Sequence, residues 1–185
     1  MGFPSKQMMN DEHSEKSEWM RSVLDRHEGP LLRYATRITG DLERARDAVQ
    51  DTFVRLCAEN RAKVDGHVAE WLFTVCRNRA LDIQRKERRM KPMSETELEA
   101  CVSQDPSPLA DAERHESVSQ VLRVVNTLPK NQQEVIRLKF QNGLSYKEIS
   151  RITKLTVTNV GFLIHTAIKT IRQKLEPEMG LVPKS

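Results

Sequence analysis

The spacing of apolar and polar positions predicts helices along the whole chain. Apolar residues recur at intervals of three and four, and no stretch alternates convincingly with the period of two that marks a half-buried strand. The spacing is clear in the segment Leu42–Asn60, where apolar positions fall at i, i+4, i+8 and i+11: Ala45, Val49, Phe53 and Leu56. We therefore predict an all-α protein.

Turn and cap residues set the predicted helix boundaries in the amino-terminal half. A first helix is predicted at Ser17–His27, and Gly29 with Pro30 is predicted to interrupt the pattern. Pro30 then suits the first turn of a second helix, because proline lacks the amide hydrogen that a first turn leaves unused. Gly40 is predicted to end that second helix, and Asp41 to cap the third.

The segment from Lys91 to Ser117 differs from its surroundings. It holds three prolines and many acidic residues, with little large apolar surface. Such a composition buries too little to offset the ordering entropy of about 1–2 kcal/mol per backbone residue. We predict a flexible linker, with a short helix near its end, joining two small helical domains at residues 17–90 and 118–176.

The second domain ends in a predicted helix-turn-helix. After helices at Val118–Asn126 and Pro129–Gln141, Ser145 and Glu148 carry the signature of a capping box. A short helix, a tight turn and a longer helix capped by Thr156 complete the motif. Its second helix would present side chains to a DNA major groove and to phosphate. The same spacing occurs in any helical bundle, so the motif alone also permits a structural interpretation.

The stretch "WLFTVCRNRALDIQRKERR", Trp71–Arg89, combines two chemistries on one predicted helix. One side is apolar and should face a core: Leu72, Cys76, Ala80 and Ile83. Another side aligns an aromatic ring (Trp71), a carboxamide (Asn78) and two guanidinium groups (Arg85 and Arg89). Asp82 lies close to this side. An indole stacks on unpaired bases at about 1–3 kcal/mol per base, and arginine neutralises phosphate. The alternative is a solvated charged face with Trp71 in the core.

Charge and composition limit the surfaces that could bind a polyanion and argue against a membrane or secreted protein. Lys and Arg number 30 against 26 Asp and Glu, a net charge of only +4, so any polyanion-binding face must arise from local clustering. The basic run after Asp82 is such a cluster: Arg85, Lys86, Arg88, Arg89 and Lys91. No apolar run approaches the ~18–20 residues of a membrane span, and the amino terminus lacks a secretory signal. We expect a soluble cytoplasmic protein.

Enzymatic, metal and cofactor chemistry find little support in the sequence. The three cysteines show no CxxC spacing, the five histidines form no H-E-x-x-H pattern, and no Walker loop is present. Asp47 and Asp51 share a helix face, which is usually a solvated one. Cys57 and Cys76 are interpreted as small core residues. We predict a protein that is not an enzyme and holds no metal or cofactor.

Three segments in order resemble the sigma-70 family, specifically its small extracytoplasmic-function (ECF) group. "DAVQDTFVRL" resembles the polymerase-docking helix, and Trp71–Arg89 resembles the helix that recognises the −10 element and melts the promoter. "LPKNQQEVIRLKFQNGLSYKEISRITKLTVTNV" resembles the domain that reads the −35 element. The resemblance spans roughly residues 20–90 and 118–176. It implies a two-domain factor that docks on core RNA polymerase and directs it to promoters, opening the strands without nucleotide hydrolysis.

The resemblance assigns roles to individual residues. Contact with the clamp helices of the largest catalytic subunit is implied for Asp47, Gln50, Asp51 and Arg55. Asn78 and the loop Asp65–Val68 are implied to form a pocket for a base flipped from the −10 element. The residues implied to bind −10 DNA are Asp65, Gly66, His67, Trp71, Arg77, Asn78, Arg85, Lys86, Arg88 and Arg89. Those implied to bind −35 DNA are Thr156, Thr158, Asn159, His165, Lys169 and Arg172.

One departure from the family concerns the last helix. Arginines common in the family are replaced here by Gly161, Leu163, Thr166 and Ile168. Fewer phosphates can then be neutralised, and the apolar "VGFLIHTAI" surface is expected to pack within the domain or against a partner. An anti-sigma protein that masks these faces is implied by resemblance only.

Two other classes of protein remain as alternatives. A stand-alone helix-turn-helix regulator would bind promoter duplex unaided, as a dimer, and would need neither a docking helix nor a basic helix with Trp and Asn. A pure interaction module would bind only protein and show no salt-dependent affinity for DNA. A gel shift with and without core polymerase distinguishes the three.

Overall fold

A computed structural model of the chain describes residues 6–90 and 112–175, with side chains described at 15–89 and 118–175. Backbone contacts divide the chain into two units, Met1–Ser103 and Gln104–Ser185. The described part is helical and contains no strand, which confirms the all-α prediction. The first unit holds α1 (Lys6–Thr39), α2 (Leu42–Ala58), α3 (Arg61–Val64) and α4 (Val68–Met90). The second holds α5 (Ala112–Asn126), α6 (Lys130–Phe140), α7 (Tyr146–Thr153) and α8 (Val157–Leu175).

Helix α1 is continuous, so the predicted break at Gly29 and Pro30 is wrong. Pro30 lies inside the helix and removes one backbone hydrogen bond, at a typical cost of about 3 kcal/mol. Residues on both sides of it are buried against α2 and α4, among them Val23, Leu31 and Tyr34. Burial of each large side chain contributes about 1.5–3 kcal/mol, so packing of the two halves on the same helices outweighs the proline.

The core of the first unit lies between α1, α2 and α4. The predicted apolar side of α2 is buried, and Tyr34 meets Phe73 edge to face, with ring centroids 5.2 Å apart. The predicted boundaries also hold: Gly40 has a φ of 74°, and the Asp41 carboxylate accepts a hydrogen bond from the Arg44 amide at 2.9 Å. Helices α2 and α4 also pack on each other, so the three long helices form one core.

The two cysteines of the first unit differ. Cys76 is buried in α4, and burial raises the pKa of its thiol to about 12. Cys57 is exposed, so its interpretation as a core residue is wrong. The reason is helical geometry, because Cys57 follows the buried Leu56 and is rotated by about 100° away from the core.

The second unit confirms the helix-turn-helix. Helices α5, α6 and α7 pack on α8. Both arms of the capping box form: the Glu148 amide donates to Ser145 Oγ at 3.3 Å, and the Ser145 amide donates to Glu148 Oε2 at 2.7 Å. Lys154 makes the turn with a φ of 61°. Thr156 caps α8, accepting a hydrogen bond from the Asn159 amide at 3.2 Å.

The predicted linker falls mostly outside the described residues. Its last six positions, 112–117, belong to α5, which therefore begins earlier than the predicted Val118. Among residues 6–90 and 112–175, no helix is both long and apolar enough to cross a membrane. The same ranges contain no group of three or more His, Cys, Asp or Glu residues suited to hold a metal ion.

Candidate functional site

Helix α4 presents the predicted aromatic and amide line away from the core. Leu72, Cys76 and Ala80 are buried, whereas Trp71 and Asn78, roughly opposite on the helix, remain half-buried. Trp71 is therefore not sealed in the core. At 1.5 Å per residue, Trp71 and Asn78 stand about 10 Å apart along the axis. Two side chains at this spacing on one side can follow a single strand laid along the helix.

The Asn78 carboxamide has no hydrogen-bond partner within residues 15–89 and 118–175. An amide offers two donor hydrogens and a carbonyl acceptor, and partly buried polar groups usually use them within the protein. Here they stay available at the surface. Asn78 is thus suited to bind a base edge that approaches from solvent.

The carboxy-terminal half of α4 is positively charged because its acidic residues are already paired. Arg44 of α2 forms an ion pair with Glu87, the acidic residue within the basic run. Arg85 pairs with Asp82 at 3.0 Å, an exposed contact that phosphate can readily replace. Within this basic run, Lys86, Arg88 and Arg89 are exposed and form no ion pair with residues 15–89. Arg77 is half-buried and already interacts within the protein.

The loop before α4 lies next to its first turn. The sequence did not reveal the short helix α3, which the Asn60 side chain caps at the Ala62 amide. After it, Asp65, Gly66 and His67 are exposed. Gly66 has a φ of 78°, a conformation that favours glycine. The His67 carbonyl accepts a hydrogen bond from the Trp71 amide at 3.0 Å, so the loop and Trp71 lie at the same end of α4.

Helix α2 presents a polar face opposite its core side. Asp47, Gln50 and Arg55 are exposed, while Asp51 is half-exposed and forms an ion pair with Arg79 of α4 at 2.5 Å. Val54 lies in the middle of this face with 63% of its surface exposed. Sequence reasoning missed Val54, although its position outside the core spacing of α2 was a usable signal.

The outer face of α8 carries most of the predicted −35 residues. Four of them are exposed at the helical spacing i, i+7, i+11 and i+14: Thr158, His165, Lys169 and Arg172. Two more are exposed at the start of the helix, Thr156 and Asn159. Phe162, 65% exposed, falls on the same face and was not predicted as a site residue.

Most of the apolar surface of α8 packs within the unit, as expected. Val160, Leu163, Ile164 and Ala167 are buried. Gly161 is close to Tyr146, since a Cβ added there would meet the ring at 3.6 Å. That distance is an ordinary van der Waals contact, so the ring does not exclude a side chain at position 161. At position 163 an arginine would need a different packing, because Leu163 is buried.

Comparison with known proteins agrees with this architecture. The profile of sigma-70 region 2 matches residues 23–90, and that of sigma-70 region 4 matches residues 119–171. The ECF RNA polymerase sigma factor SigL of Mycobacterium tuberculosis is 30% identical over 168 residues, covering 88% of this chain and 91% of SigL. The ECF sigma factor SigM of Bacillus subtilis is 29% identical over 148 residues, covering 79% and 86%.

A solved structure shows the same fold. The sigma factor RpoE of Bartonella quintana, crystallised with the anti-sigma factor NepR, aligns with a TM-score of 0.62 at 20% identity, covering 88% of this chain and 97% of RpoE. The two profiles, SigL and the observed helices point to one conclusion. This chain belongs to the ECF group of the sigma-70 family, transcription initiation factors that bind core RNA polymerase and promoter DNA.

Proposed function

We propose that the chain docks on core polymerase through α2, reads and opens the −10 element with α4, and reads the −35 element with α8. The domains proposed for these tasks are residues 17–90 and 118–176, with a linker at 91–117. The observation that carries the proposal is the half-buried Asn78 amide, which lies on a line with Trp71 and has no hydrogen-bond partner among residues 15–89 and 118–175. An enzyme site would place titratable groups together, whereas this face places an aromatic ring, an amide and cations.

The docking surface is formed by the polar face of α2. Asp47, Gln50 and Arg55 would contact the clamp helices of the largest catalytic subunit, with Val54 filling an apolar contact at the centre. Interfaces commonly place a buried apolar contact inside a polar rim, and the exposed Val54 fits the first role. Asp51 would join the rim, and its ion pair with Arg79 links the docking helix to α4.

The −10 surface would act by capturing an unpaired base. Flipping a base costs a few kcal/mol. Stacking on Trp71 contributes about 1–3 kcal/mol per base, and hydrogen bonds from Asn78 add about 0.5–1.5 kcal/mol each. The exposed loop Asp65–His67 would close one end of the site, and Lys86, Arg88 and Arg89 would neutralise phosphates. These terms are large enough for binding alone to drive strand opening.

The −35 surface would read duplex DNA through the start of α8. Thr156, Thr158 and Asn159 lie at that end and would meet base edges, since recognition helices contact bases with their amino-terminal residues. Lys169 and Arg172 lie further along and would meet phosphate, with His165 between them. The replaced family arginines leave this surface with few charge contacts.

Two further roles come from the family resemblance. An anti-sigma protein would hold the factor inactive. The support is the structurally similar RpoE of Bartonella quintana, which was crystallised with the anti-sigma factor NepR. We also expect the factor to act in the cytoplasm, where core polymerase transcribes.

Reconstituted transcription tests the proposal. Purified chain and core polymerase are incubated with a promoter library, and transcripts are sequenced. We expect defined start sites with a shared −10 and −35 element, and little binding of the free chain to promoter duplex in a gel shift. Tight binding of duplex by the chain alone would favour a stand-alone regulator. Failure to bind core polymerase would refute the docking role.

A further inference from the structure

Phe162 is a large aromatic residue that the fold leaves outside. Its side chain is 65% exposed, although α8 buries the apolar neighbours Val160, Leu163 and Ile164. It lies four residues after Thr158 and three before His165, so all three share the outer face of the helix. Burial of Phe162 in its own core would have stabilised the unit by about 1.5–3 kcal/mol, which the observed position forgoes.

The position of Phe162 along α8 places it at the depth of the bases. It is the sixth residue of the helix, in its second turn. Lys169 and Arg172 lie about 10 and 15 Å further along the axis, where they would reach the DNA backbone. Because the start of a recognition helix enters the groove, Phe162 would face base edges while the two cations hold phosphates.

The chemistry of the ring limits what it can recognise. A phenyl group neither donates nor accepts hydrogen bonds, so it gains nothing from the polar groups of a base edge. The apolar feature of the major groove is the C5 methyl group of thymine, which apolar side chains contact. A phenyl group would therefore favour thymine over the other three bases at the position that it faces.

The surroundings of Phe162 favour DNA over an apolar protein surface as the occupant. The face continues into the exposed cations Lys169 and Arg172, and Lys147 and Lys154 are exposed on α7 and in the turn before α8. An exposed aromatic residue with exposed cations on its own helix and on the neighbouring α7 matches a phosphate-lined groove.

We propose that Phe162 is a specificity-determining residue that reads the methyl group of one thymine in the −35 element, the upstream element of the promoter. The inference rests on the proposed −35 function of α8 and adds the identity of one base. It also gives this helix a source of sequence preference that needs no arginine.

Methyl deletion tests the inference on the holoenzyme. Each thymine of the upstream element, on either strand, is replaced singly by deoxyuridine, which removes only the C5 methyl group. For wild-type chain we expect one replacement to weaken promoter binding roughly fourfold, the value of one buried methyl group. Phe162→Ala should bind the unmodified promoter with a similar loss and show no further loss on replacement.

A matched control is available in the same unit. Phe140 is 63% exposed on a different helix, α6, so Phe140→Ala removes a similar apolar surface. It should keep the wild-type response to deoxyuridine. Both variants should bind core polymerase with wild-type affinity, because neither residue lies on the docking face of α2.

The outcomes separate this inference from the function on which it rests. A holoenzyme that depends on the upstream element but is indifferent to every methyl deletion would overturn the role of Phe162 alone. So would Phe162→Ala retaining the wild-type response, or losing only the binding of a regulatory protein. A chain that forms no promoter-specific holoenzyme would overturn the proposed function, and this inference with it.

Discussion

Replacement of Asn78 by alanine should separate promoter opening from folding and from polymerase binding. Asn78 is half-buried on the outer side of α4, and its carboxamide has no hydrogen-bond partner within residues 15–89 and 118–175. Its removal therefore breaks no hydrogen bond among these residues. The docking face lies on a different helix, so association with core polymerase should be unchanged.

The size of each effect follows from these contacts. In the free protein, a surface substitution without lost contacts changes stability by at most about 0.5 kcal/mol, and alanine is the better helix former. In the open complex, the carboxamide can make two hydrogen bonds to a base edge, worth about 1–3 kcal/mol together. Their loss should reduce the stability of the open complex by about 5- to 150-fold.

Three measurements check this prediction. Permanganate reactivity of unpaired thymines reports opening, a native gel reports binding to core polymerase, and thermal unfolding reports stability. Asn131→Ala serves as the control, because it removes the same amide from an exposed position on α6. Opening by Asn78→Ala within twofold of wild type would refute the base-binding role. A lowered unfolding temperature would show that Asn78 is structural.

Further predictions concern the other surfaces. Asp51→Ala should weaken core binding while destabilising the free chain by less than about 1 kcal/mol, because its ion pair with Arg79 is half-exposed; unchanged pull-down would remove Asp51 from the docking face. Ser145→Ala should destabilise the second unit by about 1 kcal/mol through loss of the cap, measured by urea unfolding. The hydrogen bond from Ser145 also lowers the pKa of Glu148. The ionised Glu148 carboxylate should therefore contribute its full stabilisation above pH 4.5, the ordinary pKa of glutamate. This stabilisation should be lost as the pH falls through the lower pKa of Glu148 in the folded protein, and Glu148→Gln should not show that loss. Lys169→Ala should reduce the salt dependence of promoter binding by about one unit of slope, and an unchanged slope would mean no phosphate contact.

Local signals predicted much of the fold. The capping box at Ser145, the cap at Asp41 and the left-handed turn at Gly40 each depend on a few neighbouring residues, so the sequence shows them directly. The apolar side of α4 also followed from helical spacing. Features that depend on distant packing were predicted less well.

The misses share a physical cause. Gly29 and Pro30 break an isolated helix, and only the packing of both halves of α1 on α2 and α4 keeps it continuous. In the candidate site, the sequence indicated which polar residues lie on the outer side of α4, but it could not show that the Asn78 amide has no hydrogen-bond partner within residues 15–89 and 118–175. Val54 and Phe162 were missed because apolar residues on amphipathic helices are ordinarily assigned to the core, whereas both lie outside it.

The most direct test of the account places a photo-crosslinker at position 78. A benzophenone amino acid is introduced in place of Asn78, and the holoenzyme is irradiated on fully paired promoter DNA and on the same promoter with a mismatched, already unpaired −10 element. Base capture by α4 predicts a crosslink to one base of a single strand that forms only when the promoter is open. Equal crosslinking to both strands, or to closed duplex, would contradict base capture by α4.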